Sequence, residues 1–167
     1  LGHKFKLKGR TLSLSANLNL TNNNTLKYIN TKQQYYNEGL LIRTDTLNQK
    51  NENELTNQVA SAKASYTEPI NKKWLLEVHY KPTFATNKSS ISSSVKDLSG
   101  EYNDKVDTLS NGFEYNSAKH EGGVSLKYTE KKLNVSLTLN DEIGELKRID
   151  LINSKNNSDY PYNALNP

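Results

Sequence analysis

The 167-residue chain contains no cysteine, which removes disulfide frameworks, thiolate metal sites and cysteine nucleophiles. Apolar residues are scarce as well: the hydrophobic share is 34%, and that figure counts ten tyrosines. Leu, Ile, Val and Phe together supply roughly 23% of positions, just above the range in which disorder is the default. No run of eighteen apolar residues occurs, so no transmembrane helix is expected. No signal peptide heads the chain, whose first residue is Leu1, so the sequence reads as a processed chain or a piece of a longer one. An excess of one charge is lacking too. The net charge is +4, and Lys is scattered along the sequence among Glu and Asp, which argues against a nucleic-acid partner. No GxxxxGK, HExxH, GxSxG or CxxC motif is found, so the expectation is no enzyme, no catalytic residue and no cofactor.

What fills the space is Asn, Ser and Thr. A dense soluble core is hard to build from such residues, but a sheet with one apolar and one polar face is not. The sequence period is two. Leu12, Leu14, Ala16, Leu18 and Leu20 alternate with Thr11, Ser13, Ser15, Asn17 and Asn19. A helix would scatter these around its surface; a strand puts all the apolar ones on one face. The alternation returns in Ala60, Ala62, Ala64 and Tyr66, and again in Trp74, Leu76, Val78 and Tyr80. Gly122, Val124, Leu126 and Tyr128 make a fourth segment, and Leu133, Val135, Leu137 and Leu139 a fifth.

The connections alternate between short and long. Leu7-Lys8-Gly9-Arg10 is a tight turn before the first strand, residues 68–73 join the second strand to the third, and residues 129–132 join the fourth to the fifth. The polar stretches 27–56, 86–110 and 141–167 read as long, mobile loops, with 40–56 and 96–110 outside the cell. Short turns at one end and long polar loops at the other are the pattern of an outer-membrane barrel. Pairing Tyr66 with Trp74, and Tyr128 with Leu133, keeps the apolar residues of each hairpin on one side. Tyr66, Trp74 and Tyr128 lie beside the short turns, and Tyr80 and Phe84 lie farther up the third strand. These five read as two lipid-facing aromatic girdles.

Candidate sites are few. His3, His79 and His120 are isolated in the sequence, and His79 and His120 are expected as polar side chains facing the lumen. Asp97, Glu101, Asp104 and Asp107 have a spacing that suits Ca²⁺, but the EF-hand order is missing and a solvated loop without metal is expected. The N-x-[ST] triplets at Asn19, Asn23, Asn87, Asn134 and Asn156 are assigned no glycan. Gly122-Gly123 reads as a bend or bulge in a barrel strand, with close approach of a plug or ligand as its alternative.

Several segments resemble one family. Lys8-Gly9-Arg10-Thr11-Leu12-Ser13-Leu14 resembles the turn-and-strand start in barrel domains of TonB-dependent outer-membrane receptors of the Bacteroidetes type. Ser65-Tyr66-Thr67-Glu68-Pro69-Ile70 is similar to their Y-[ST]-E-P-[LI] turn, and Asp107 to Tyr115 to their L-S-N-x-[FY] segment, followed here by His120. The tail from Tyr160 resembles a Y-x-N-x-L-P approach to a further strand, but reads Leu165-Asn166-Pro167. The resemblance implies a barrel of about 22 strands with a plug inside.

The expectation is therefore all-β: an antiparallel up-and-down meander of about five strands, one segment of a large transmembrane β-barrel. Residues 1–167 form an unclosed fragment with no plug domain. By resemblance it is part of the barrel wall and extracellular loops of a TonB-dependent receptor for nutrient uptake in a Gram-negative outer membrane. Its partners would be outer-membrane lipid, the rest of its own barrel and plug, TonB through parts not in this chain, and an unidentified extracellular ligand. The alternative is a soluble secreted β-sandwich, a binding or adhesion module whose long loops form the binding surface.

Overall fold

A computed structural model describes residues 1–166. The chain forms β1 (Gly2–Lys4), β2 (Thr11–Asn37), β3 (Leu40–Pro69), β4 (Trp74–Val95), β5 (Asp104–Lys105), β6 (Asn111–Glu130), β7 (Leu133–Asp150) and β8 (Ser158–Asn166). These make one sheet in the order β1-β2-β3-β4-β6-β7-β8, with β5 against β4, and every pairing is antiparallel. The five expected strands are β2, β3, β4, β6 and β7. The meander continues into β8, where the tail motif lies; its last residue, Pro167, falls outside the described residues.

The register gathers the alternating residues into cross-strand rows. Leu18, Ala60, Phe84 and Ala118 form one row; Tyr66, Val78, Val124 and Leu139 form another. One row beyond Leu18, the same face turns polar, through Gln58, Thr86, Asn116 and Lys147. The apolar residues therefore form a band crossing all five strands, not a patch.

Burial is inverted relative to a water-soluble sheet. Among the described residues no hydrophobic side chain is buried, while Gln49, His79, Ser93, Ser110 and Ser125 are. Leu18 is 66% exposed and Leu137 72%. Burying one Leu is worth about 1.5–3 kcal/mol, so a whole band left outside any core is stable only against an apolar medium. The two-sheet sandwich is not formed: there is one sheet, curled into half of a barrel, with its polar side inward.

Three stretches read as loops prove to be strand. Residues 27–56 are the upper part of the β2–β3 hairpin, which closes only at Glu38 and Gly39. Both turn residues have positive φ, 48° and 82°, as a two-residue hairpin turn requires. A backbone ladder needs no apolar side chains, so polar composition did not prevent pairing. Likewise β4 runs on to Val95 and β7 to Asp150, leaving 96–110 and 151–157 as the true connections.

The two short hairpins are tighter than expected. Tyr66 pairs with Val78 instead of Trp74, because strand pairing continues to Pro69 opposite Leu75 and the turn is confined to 70–73. Tyr128 pairs with Val135 instead of Leu133, because only Lys131 and Lys132 make the turn. Both shifts are even in number, so every side chain keeps its face.

Candidate functional site

The concave face is a polar wall. Residues of odd number on β4 and β6, and of even number on β7, point to it. Its charges join in diagonal cross-strand pairs, the reach expected of long side chains two positions apart. Lys127 Nζ donates to Glu77 Oε2 at 2.5 Å, Lys119 Nζ donates to Glu142 Oε2 at 3.0 Å, and His79 Nε2 lies 3.5 Å from Glu121 Oε1. Ser125 and Thr138 share a hydrogen bond of 2.8 Å on the same face. The wall is thus charged, with Lys127–Glu77 and Lys119–Glu142 paired within it, while Lys63 and Lys81 on the same face make no ion pair among the described residues.

Two glycines make room on this wall. Gly123 lies opposite His79 on one side and Asn140 on the other, and a Cβ there would stand only 2.8 Å from His79 Nε2. Gly144 lies opposite Tyr162, whose hydroxyl would be 2.6 Å from an added Cβ. The pairing of β6 with β4 and β7 keeps one register through Gly122 and Gly123, so the glycine pair is not the bulge that was expected. Gly122 has open space around it; Gly123 is where a side chain crosses the backbone.

The convex face carries the aromatics. Trp74 and Tyr128 are direct cross-strand partners with ring centroids 4.9 Å apart, and Phe5 meets Tyr66 edge-on at 6.4 Å. Each tyrosine beside a short turn belongs to a repeated Tyr-Thr-Glu, at 66–68 and 128–130. Tyr66 Oη donates to Glu68, which also accepts two hydrogen bonds from Arg10, at 2.7 and 2.6 Å. Tyr128 Oη donates to Glu130, which also accepts from Lys73 Nζ at 2.5 Å. That bond holds the Lys73 ammonium above its ordinary pKa range. The repeat was the sequence signal for these two clamps, and motif reading by segment passed over it.

Tyr80 and Phe84 stand higher on the same face, around His120. Tyr80 Oη lies 2.6 Å from His120 Nδ1, and the Phe84 and His120 ring centroids are 5.9 Å apart. His120 therefore faces outward with the aromatics, not into the lumen: its even position places it with Gly122 and Val124. His79 does face the lumen. His3 sits on the outer face of the edge strand against Phe5, at 4.6 Å.

The loop carboxylates do not gather, and no group of three metal-ligating side chains occurs among the described residues. Asp97 is the hub of its own connection. It accepts from the backbone N–H of Ser99 and Glu101, from the Ser99 hydroxyl and from Asn103 Nδ2. These donors hold its carboxyl down at about 2. Of the glycosylation-type triplets, Asn19, Asn23, Asn87 and Asn134 lie within ladders and Asn156 in the turn before β8.

At the far end, β2 and β3 outrun their neighbours. Pairing of β3 with β4 stops at Gln49 opposite Val95, whereas β2 and β3 stay paired up to Asn37 and Leu40. Beyond the sheet stands a two-stranded ribbon whose tip exposes Tyr36, Leu40, Leu41 and Ile42. The connection after β4 folds back against it: Tyr102 Oη donates to Asn48 Oδ1, and the Tyr102 and Tyr28 rings are 5.4 Å apart. Sequence reading missed this ribbon. Asn37-Glu38-Gly39-Leu40 was the available signal.

No curated protein and no solved structure is significantly similar to the chain. A one-sheet meander with an outward apolar band and an inward polar wall agrees with a family model that matches residues 3–167, that of an outer membrane protein beta-barrel family. The chain belongs to the outer membrane protein beta-barrel family and is a section of barrel wall in the outer membrane.

Proposed function

We propose that this wall section belongs to a TonB-dependent receptor that takes up a nutrient, with the ribbon end outside the cell and the short turns in the periplasm. The observation that carries the reading is one-sided length. β2 has 27 residues and β3 has 30. At about 3.4 Å per residue they run roughly 90–100 Å, far beyond an apolar band about 25 Å tall. A wall built only to seal a membrane has no use for that excess, whereas capture of a ligand above it does. The paired charges of the concave face suit a water-filled or plugged lumen.

In this reading Tyr66, Trp74 and Tyr128 form the lower aromatic girdle and Tyr80 and Phe84 the upper. Trp74 and Phe84 are ten residues apart, about 26 Å in height for a strand tilted near 40°. The rest of the barrel, a plug and TonB would be the partners, and no catalytic or cofactor role is assigned.

The test is uptake by cells carrying the whole protein. Labelled ferric chelates, cobalamin and oligosaccharides are offered in turn. Uptake of one that stops on gene deletion and on collapse of the proton gradient supports the reading. Uptake that persists without the gradient overturns it.

A further inference from the structure

The lysines scattered along the sequence are collected by the fold. Residues 5–10, 68–73 and 129–132 all sit at the short-turn end of the sheet, and they carry seven of the 22 cations but only two of the 18 acids. This end therefore holds +5 in a chain of net charge +4, and everything else together is −1. Both acids are already engaged, Glu68 by Arg10 and Glu130 by Lys73. Lys6, Lys8, Lys72, Lys131 and Lys132 are exposed and make no ion pair among the described residues. The turns are neighbours in space: Thr129 N–H donates to the Lys73 carbonyl, and a Cβ on Gly9 would touch Pro69 at 3.4 Å.

We propose that this rim binds the anionic headgroups of phospholipids in the leaflet it faces. The apolar band ends here, and the paired rings of Trp74 and Tyr128, tilted at 54° to each other, mark its border, since amphipathic rings favour the boundary between hydrocarbon and headgroups. Lys72, Lys131 and Lys132 lie two to four residues beyond those rings, so their ammonium groups fall in the headgroup layer. Arg10 and Lys73 neutralise the two carboxylates that would otherwise repel a phosphate. Flexible lysine stems reach lipid phosphates as point charges without fixed geometry, which suits a fluid partner.

Trp74 is the only tryptophan of the chain and stands beside the rim, so it reports on the lipids there. The full-length protein is placed in phosphatidylcholine bilayers containing a minority of phosphatidylglycerol, with brominated acyl chains on one lipid or the other. The quenching lost in a Trp74→Phe variant is the Trp74 signal. Bromine on phosphatidylglycerol should quench about two- to fourfold more than its mole fraction predicts. Replacing Lys6, Lys8, Lys72, Lys131 and Lys132 together by Gln should bring it back to the mole fraction, and replacing them by Arg should not. Heat-modifiable migration identifies folded variants. If the Gln variant does not fold, the comparison of the two brominated lipids in the parent decides alone. Quenching in proportion to mole fraction in the parent overturns the proposal. So does loss of the excess to glycerol phosphate at matched ionic strength, which would mean a site for soluble phosphate instead of lipid.

Discussion

Gly123 lies directly across the β4–β6 ladder from His79, and the imidazole occupies the space where a Cβ would be. Asn140 presses on the same point from β7. Gly122, one residue away on the other face, has nothing within 4 Å. Gly123→Ala should therefore destabilise the barrel by about 1–3 kcal/mol, the usual cost of forced overpacking. Gly122→Ala should cost little. Urea unfolding of the complete barrel in lipid measures both, and equal effects would contradict the close approach.

Leu137 and Ser136 are adjacent on β7 and point to opposite faces. Leu137→Arg places a charge in the apolar band one row above the Trp74–Tyr128 girdle and should cost about 1–2 kcal/mol, between the values for the interface and for the midplane. Ser136→Arg points to the polar wall and should cost far less. A membrane-folding assay reads the difference.

Backbone pairing, not composition, should govern protease sensitivity. Lys50 and Lys88 stand in ladders, whereas Lys96 lies in the open connection after β4 and Lys155 in the turn before β8. Limited trypsin treatment of the folded protein should cut after Lys96 and Lys155 well before Lys50 and Lys88. Early cleavage at Lys50 would show that the 40–56 segment is a loop after all.

The order of the 97–103 connection should depend on acid in a set direction. Asp97 is held at about 2, below its ordinary 3.8, by donors present only in the folded loop. Its contribution is complete above about pH 4 and is lost as pH falls through about 2. Hydrogen exchange at the Ser99 and Glu101 amides should follow that window. Asp97→Asn should remove the dependence.

Residues such as Leu12 to Leu20 and Leu133 to Leu139 stated their strands and faces outright, because a period of two admits one assignment. The expected girdle residues could be placed on one face for the same reason, and parity alone would have moved His120 beside them. The Tyr-Thr-Glu repeat marked the clamps at Glu68 and Glu130 but not their cations, since Arg10 and Lys73 reach them from turns distant in sequence.

The sequence by itself determined the class: too little apolar matter for a soluble core, and alternation that commits each strand to two unlike faces. Only the tertiary structure decided where the strands end, which partner each residue meets, and that the lysines share one rim. A β-ladder is held by backbone groups common to every residue. Polar segments such as 27–56 can therefore pair without announcing it, and the register between distant strands is set by turns such as Glu38-Gly39 and Lys131-Lys132.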